Sequence, residues 1–199
     1  MGAFWLFLKY LGMTTKVHNM HSSITTGYYA WFKTALGPVL IGATSKGLCK
    51  LGWEKDRRMG LAFLRAKHPD LQWVERKAPL ARPAKALDNF LKGHAKKFNP
   101  PLDLQGTPFQ RSVWKALQRV PSGRNITYKK LAAAAGHPRA IRAVANACAQ
   151  NTVAVAVPCH RAIHTNASPA GYRWGIGRKK RILALERYFM KRSFMKYAG

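Results

Sequence analysis

The chain has 199 residues, enough for one domain or two small ones, and its 35 Lys and Arg against 7 Asp and Glu give a formal net charge of +28. A balance this basic favours polyanionic partners, most simply nucleic acid, and the bias peaks late: residues 94–199 hold 20 basic side chains and two acids, Asp103 and Glu186. Three widely spaced cysteines, Cys49, Cys148 and Cys159, exclude a disulfide scaffold and fit a reducing compartment, and no Cys/His cluster offers a metal site.

In chain order, residues 1–23 start with an apolar run, Phe4 to Leu8, that Lys9 interrupts. It is too short to span a bilayer and lacks the basic start and cleavage site of a secretory signal. It reads as a flexible N-terminal extension, with Met13 and Met20 as alternative starts. From Ile24 the apolar pattern alternates through Tyr28-Tyr29-Ala30-Trp31-Phe32, turns at Gly37-Pro38, resumes at Val39-Leu40-Ile41, turns at Lys46-Gly47 and resumes at Leu48. Strands separated by such turns predict an antiparallel meander. Residues 61–67 and 84–91 read as helices, and Pro100-Pro101 marks an extended linker.

Beyond the linker the chain reads as mostly helical. Thr107 caps a helix with Pro108 at its first position, and Phe109, Val113, Trp114 and Leu117 form one apolar stripe. Thr127 caps an alanine-rich helix through Ala135, Gly136 permits a tight turn, and Pro138 starts a second helix to about Ala149. Helix, glycine turn, helix is a helix-turn-helix pattern. Such corners are often mere packing, but Arg139 and Arg142 on the second helix of a basic half favour nucleic acid. The β-branched run at residues 153–157 predicts a buried strand that Pro158 ends.

Pro158-Cys159-His160-Arg161 then places a thiol beside two groups that favour its anion, and the thiolate is the nucleophilic form. The alternative is an inert buried cysteine beside a solvated basic pair. A last helix, residues 178–192, carries the stripe Ile182, Leu183, Leu185, Phe189 and Met190, with Glu186 in its middle. An acid on a buried face needs a partner. That partner is either Arg187 or Lys179 at the surface or, more consequentially, His160 inside.

Taken together, residues 151–161, Phe109-Gln110 through Ala132, the run from Pro138 to Val144 and Gly171-Tyr172-Arg173-Trp174-Gly175 closely resemble the O6-alkylguanine-DNA alkyltransferases of bacterial type, over about residues 104–190. Residues 24–103 resemble that family's smaller N-terminal domain. The resemblance implies an α+β protein. A small N-terminal antiparallel-sheet scaffold (24–103) would precede a mostly helical, winged-helix-like domain (104–199) that binds DNA and accepts the alkyl group. It implies DNA repair by irreversible, single-use transfer of a chiefly methyl group to Cys159. Glu186 would hold His160, and His160 would take the thiol proton through a water. Tyr128 would protonate guanine N3.

The resemblance further implies that Arg142 fills the gap left by a flipped base through the minor groove, with Arg139 and Ala143 beside it on DNA. Asn151 would tie the helix-turn-helix to the active site. Pro158, Ala162, Tyr172, Arg173 and Trp174 would form the pocket, Ala162 and Cys159 offering carbonyls to the guanine amine and Trp174 narrowing it against bulky adducts. The loop at residues 163–170 lacks the family's usual acidic and glycine residues, which affects substrate range. No cofactor, metal or membrane is expected. The chain is expected to act as a monomer on double-stranded DNA, in the cytoplasm or, from a eukaryotic source, the nucleus. A non-catalytic lesion binder or an architectural DNA-binding protein is the alternative.

Overall fold

The computed structural model describes residues 25–164 and 171–195. The expectations for residues 1–23 and for the departing part of the loop, residues 165–170, lie outside them. The chain divides into two compact units, and not by a single cut: one takes residues up to Asn89 with Asn99–Gln105, the other takes Phe90–Phe98 and everything from Gly106.

The first unit is a four-stranded sheet. Its strands are β1 (Thr26–Phe32), β2 (Val39–Thr44), β3 (Gly47–Gly52) and β4 (Gln72–Glu75), in the order β3-β2-β1-β4. Strands β2 and β3 are buried throughout, which is why both read as continuous apolar runs rather than clean alternation. The sequence reading is corrected in one respect. The sheet is mixed, because β4 runs parallel to β1, with Tyr28 opposite Val74. Helix α1 (Arg57–Lys67) lies between β3 and β4 in the chain, and a parallel pairing needs such a crossover.

Helix α1 begins earlier than the expected residue 61 because the Asp56 carboxylate accepts the Arg58 N–H at 2.7 Å and caps it. It lies tight on the sheet: a Cβ on Gly60 would come within 2.6 Å of a Leu40 methyl. Leu64 packs with Cys49 and Trp73 in the core. The proline linker is stitched to β3, with Leu48 N–H donating to the Pro101 carbonyl and Asp103 N–H to the Leu48 carbonyl, both at 2.9 Å.

Helix α2 (Ala81–Leu91) ends in the second unit, which continues with α3 (Pro108–Gln118), β5 (Ile126–Thr127), α4 (Tyr128–Ala134), α5 (Ile141–Ala149), β6 (Ala162–Ile163) and α6 (Ile176–Met195). Helix α3 opens with a reciprocal capping box: Gln110 N–H donates to the Thr107 hydroxyl, and Thr107 N–H to the Gln110 amide oxygen. It buries Val113, Trp114 and Leu117 as its stripe requires. The Trp114 indole donates to the Ala147 carbonyl at 2.9 Å, fixing α3 against α5. Between α4 and α5, Gly136 has φ +83°, a left-handed conformation suited to glycine. Pro138 does not open α5; it lies in a turn closed by Ala140 N–H on the His137 carbonyl, and the helix starts three residues later. Among the described residues no helix is long and apolar enough to cross a membrane.

Residues 153–157 are a second correction, for they form a buried turn and not a strand. Asn151 is the physical reason. Its carbonyl oxygen accepts the Val153 N–H at 2.9 Å, and its amide donates to the Val157 carbonyl at 2.8 Å. Val157 N–H closes back onto the Val153 carbonyl. The backbone is thus satisfied internally, and Val155 is forced to φ +68°, a conformation that costs a β-branched residue on the order of 1–3 kcal/mol.

Candidate active site

The turn delivers the chain to Pro158 and a single 3₁₀ turn, Cys159–Arg161. Cys159 is buried, and its Sγ accepts a hydrogen bond from the Asn151 amide at 3.1 Å. It faces a cavity of about 300 Å³ whose wall includes Tyr128, Ala145, Cys148, His164, Tyr172 and Arg173. Burial pushes the thiol up to about 11, opposed by the Asn151 hydrogen bond and by the charges of Lys179 and Arg173. Left alone it is a thiol; it needs a base.

His160 supplies one. It is fully buried, and its Nε2 lies 2.9 Å from Glu186 Oε1. Glu186 sits on the inward face of α6, where its carboxylate also accepts Arg161 Nη2 at 2.7 Å and the Gly123 N–H at 3.1 Å. Burial alone would raise the Glu186 carboxyl, but the hydrogen bonds and charges of His160 and Arg161 hold it down to about 2. It is therefore ionised and can only accept. His160 is pulled below the usual imidazole range, chiefly by burial and against the pull of Glu186. A neutral ring facing an obligate acceptor must carry its proton on Nε2. Its Nδ1 is left as a bare lone pair, buried and without a protein hydrogen bond.

The sequence-predicted residues fall into three groups. Cys159, His160 and Glu186 come together, with Asn151 bonded to the sulfur. Tyr128, Tyr172 and Arg173 share the cavity wall with Cys159. Burial raises the Tyr128 phenol to about 12, which keeps it a proton donor, and its ring meets His164 edge-on at 5.6 Å. Trp174 does not line the cavity. It is buried behind Tyr172, whose ring it meets at 5.2 Å, so its bulk is not placed to narrow the pocket. Pro158 and Ala162 are likewise buried off the wall. Arg139, Arg142 and Ala143 are exposed in the turn before α5 and in its first turn, away from the sulfur.

Sequence reasoning missed three participants. Arg161 anchors Glu186 and also donates to the Val120 carbonyl. Cys148 is a second thiol on the cavity wall. Lys179 was expected at the surface and is instead fully buried, its ammonium 2.6 Å from the Ala162 carbonyl. The spacing could have shown this, since Lys179, Ile182, Leu183 and Glu186 lie on one helical stripe.

Comparison with known proteins agrees with this geometry. Residues 108–188 match the family model of the 6-O-methylguanine DNA methyltransferase DNA binding domain, and residues 27–104 match that of its ribonuclease-like domain. The chain is 33% identical over 176 residues to the bifunctional transcriptional activator/DNA repair enzyme Ada of Escherichia coli, covering 88% of this chain but spanning only about half of that protein (50%). It is 38% identical over 164 residues to the methylated-DNA--protein-cysteine methyltransferase of Methanosarcina mazei, covering 82% of this chain and 99% of that one. Among solved structures, Mycobacterium tuberculosis OGT in complex with DNA superposes with a TM-score of 0.70 at 30% identity, covering 81% of this chain and 93% of that one. With both domains matched in order around a buried Cys-His-Glu arrangement, the chain belongs to the O6-methylguanine DNA methyltransferase family.

Proposed function

We propose that this protein repairs O6-alkylguanine, chiefly O6-methylguanine, in double-stranded DNA by irreversible transfer of the alkyl group to Cys159, each molecule acting once. The observation that carries this reading is the Glu186–His160 hydrogen bond at 2.9 Å, which ends in a bare Nδ1 next along the chain from a buried thiol on a cavity wall. His160 Nδ1 takes the Cys159 proton through a water, in the logic of a triad with a cysteine nucleophile. The thiolate displaces the alkyl carbon from O6. The bonding pair goes to guanine, and Tyr128 protonates N3 so that the base leaves neutral. The product is a thioether on Cys159.

A base inside a duplex cannot reach a buried sulfur, so it must be flipped out. Arg142, exposed in the first turn of α5, is suited to fill the vacated stack from the minor groove, having both charge and a planar face. Arg139 and Ala143 lie next to it on the DNA. In this reading Tyr172, Arg173 and the backbone carbonyls of Cys159 and Ala162 receive the base, with Pro158 and Trp174 behind them. Asn151 couples the helix-turn-helix to the sulfur. Residues 24–103 act as a scaffold, residues 104–199 carry DNA binding and transfer, and the protein works as a monomer. The relatives' names as methylated-DNA--protein-cysteine methyltransferases support the same chemistry.

The test is to incubate the protein with a duplex bearing one O6-methylguanine and to measure its intact mass and peptide map. The expected result is one added methyl group on Cys159, and none in Cys159→Ala, which still binds the duplex. Methyl on Cys49 or Cys148, or binding without mass gain, overturns the reading.

A further inference from the structure

We propose that Lys179 is a positioning residue for the transfer reaction: it clamps the Ala162 carbonyl at the end of the Cys159–Arg161 turn and provides the positive charge against which the Cys159 thiolate forms. The inference rests on the transfer to Cys159 proposed above.

Two observations carry it. The first is geometric. Ala162 N–H donates to the Cys159 carbonyl and closes the 3₁₀ turn, while the Ala162 carbonyl accepts the Lys179 ammonium at 2.6 Å. The peptide groups on both sides of Ala162 are therefore held, one by the nucleophile's own backbone and one by α6. The second is where the charge sits. Lys179 is fully buried on α6, and a buried ammonium is costly unless the surroundings use it. The cost shows in its titration: burial pulls Lys179 below the usual lysine range, and the thiols Cys159 and Cys148 pull it back up.

The groups around the sulfur sort by role. Tyr128 at the start of α4, Cys148 on α5 and Tyr172 before α6 are neutral at neutral pH, all raised first by burial. Asn151 donates to Sγ. His160 is neutral, and Glu186, also on α6, is matched by Arg161 across a 2.7 Å ion pair. Lys179 and Arg173 are the cations that lower the Cys159 thiol, Lys179 more than Arg173. Arg173 is exposed on the cavity rim, where solvent weakens its charge, whereas Lys179 acts from within.

The test separates clamp from charge with three substitutions. Lys179→Gln keeps a donor for the Ala162 carbonyl without charge, Lys179→Met keeps neither, and Lys179→Arg keeps both. Two readouts are used on each full-length protein: the rate of Cys159 alkylation by iodoacetamide as a function of pH, which needs no DNA, and single-turnover methyl transfer from an O6-methylguanine duplex. Lys179→Gln and Lys179→Met are expected to raise the midpoint of the iodoacetamide profile by about one pH unit, a tenfold loss of thiolate at neutral pH. Lys179→Met is expected to lose more methyl transfer than iodoacetamide reactivity, because the turn loses its clamp. Lys179→Arg is expected to stay within about threefold of wild type in both.

An unshifted midpoint in Lys179→Gln and Lys179→Met overturns the proposal. So does Lys179→Arg being as impaired as Lys179→Met, or loss of cooperative melting in all three, which makes Lys179 a residue of the fold alone. Wild-type protein that gains no methyl while its thiol titration moves as expected overturns the transfer reading instead.

Discussion

At the scale of single residues, Glu186 has the most demands on it. One carboxylate accepts from His160, from Arg161 and from the Gly123 backbone, three donors from two segments far apart in the chain. Replacing it with Gln keeps the size but leaves His160 free to choose its tautomer, so methyl transfer is expected to slow on the order of 10- to 1000-fold, read from single-turnover rates. The same substitution should change acid stability. A carboxyl held at about 2 when folded, and near its usual 4.5 when unfolded, contributes stability above pH ~4.5 and loses it as pH falls toward 2. Wild type should therefore lose urea stability faster than Glu186→Gln between pH 5 and 3, by about a few kcal/mol in difference. Equal slopes would mean that the carboxylate is not held this way. Glu186 was legible in the sequence because an acid in a basic helix's apolar stripe demands a partner. Lys179, on the same stripe, was not, because lysine ordinarily carries its charge to water and its burial depends on a carbonyl supplied by a distant turn.

At the scale of elements, the capping chemistry was readable and the extended segments were not. Thr107, Thr127 and Gly136 mark helix starts and a turn with their own local hydrogen bonds or dihedrals, and the structure places α3, α4 and the corner there. The run at residues 153–157 misled because apolar periodicity reports burial, not hydrogen-bond partners, and its partner is the Asn151 side chain rather than a neighbouring strand. Strand β4 went unread because Trp73 alone of its four residues is buried, so it has little pattern to show. The corner leads to a prediction about α5. Arg142 is exposed at the start of that helix, so Arg142→Ala should slow repair of duplex O6-methylguanine by at least about tenfold while leaving reaction with free O6-benzylguanine nearly unchanged. Parallel single-turnover assays on the two substrates check this. Equal losses would assign Arg142 to the fold.

At the scale of the whole molecule, charge sets how DNA is approached. With 20 basic side chains against two acids after residue 93, affinity for undamaged duplex should fall steeply with salt, with a logarithmic slope of roughly −0.9 per phosphate contacted. About four to eight contacts are expected, since only one face can meet a duplex at a time; titrations at several salt concentrations measure it, and a slope near zero would remove charge as the basis of binding. The Asn151 amide has a longer reach. It donates both to the Val157 carbonyl that shapes the buried turn and to the Cys159 sulfur. Once that sulfur carries a methyl group it is a poorer acceptor, and the group must fit where little space is left. Losing the bond costs about 1 kcal/mol and crowding about 1–3 kcal/mol. The alkylated protein should then melt several degrees lower, at about 2–4 °C per kcal/mol for a chain of this size. Fresh and spent molecules would differ in heat tolerance, so a melting curve of the pooled protein would act as a dosimeter, its two transitions counting the lesions already met.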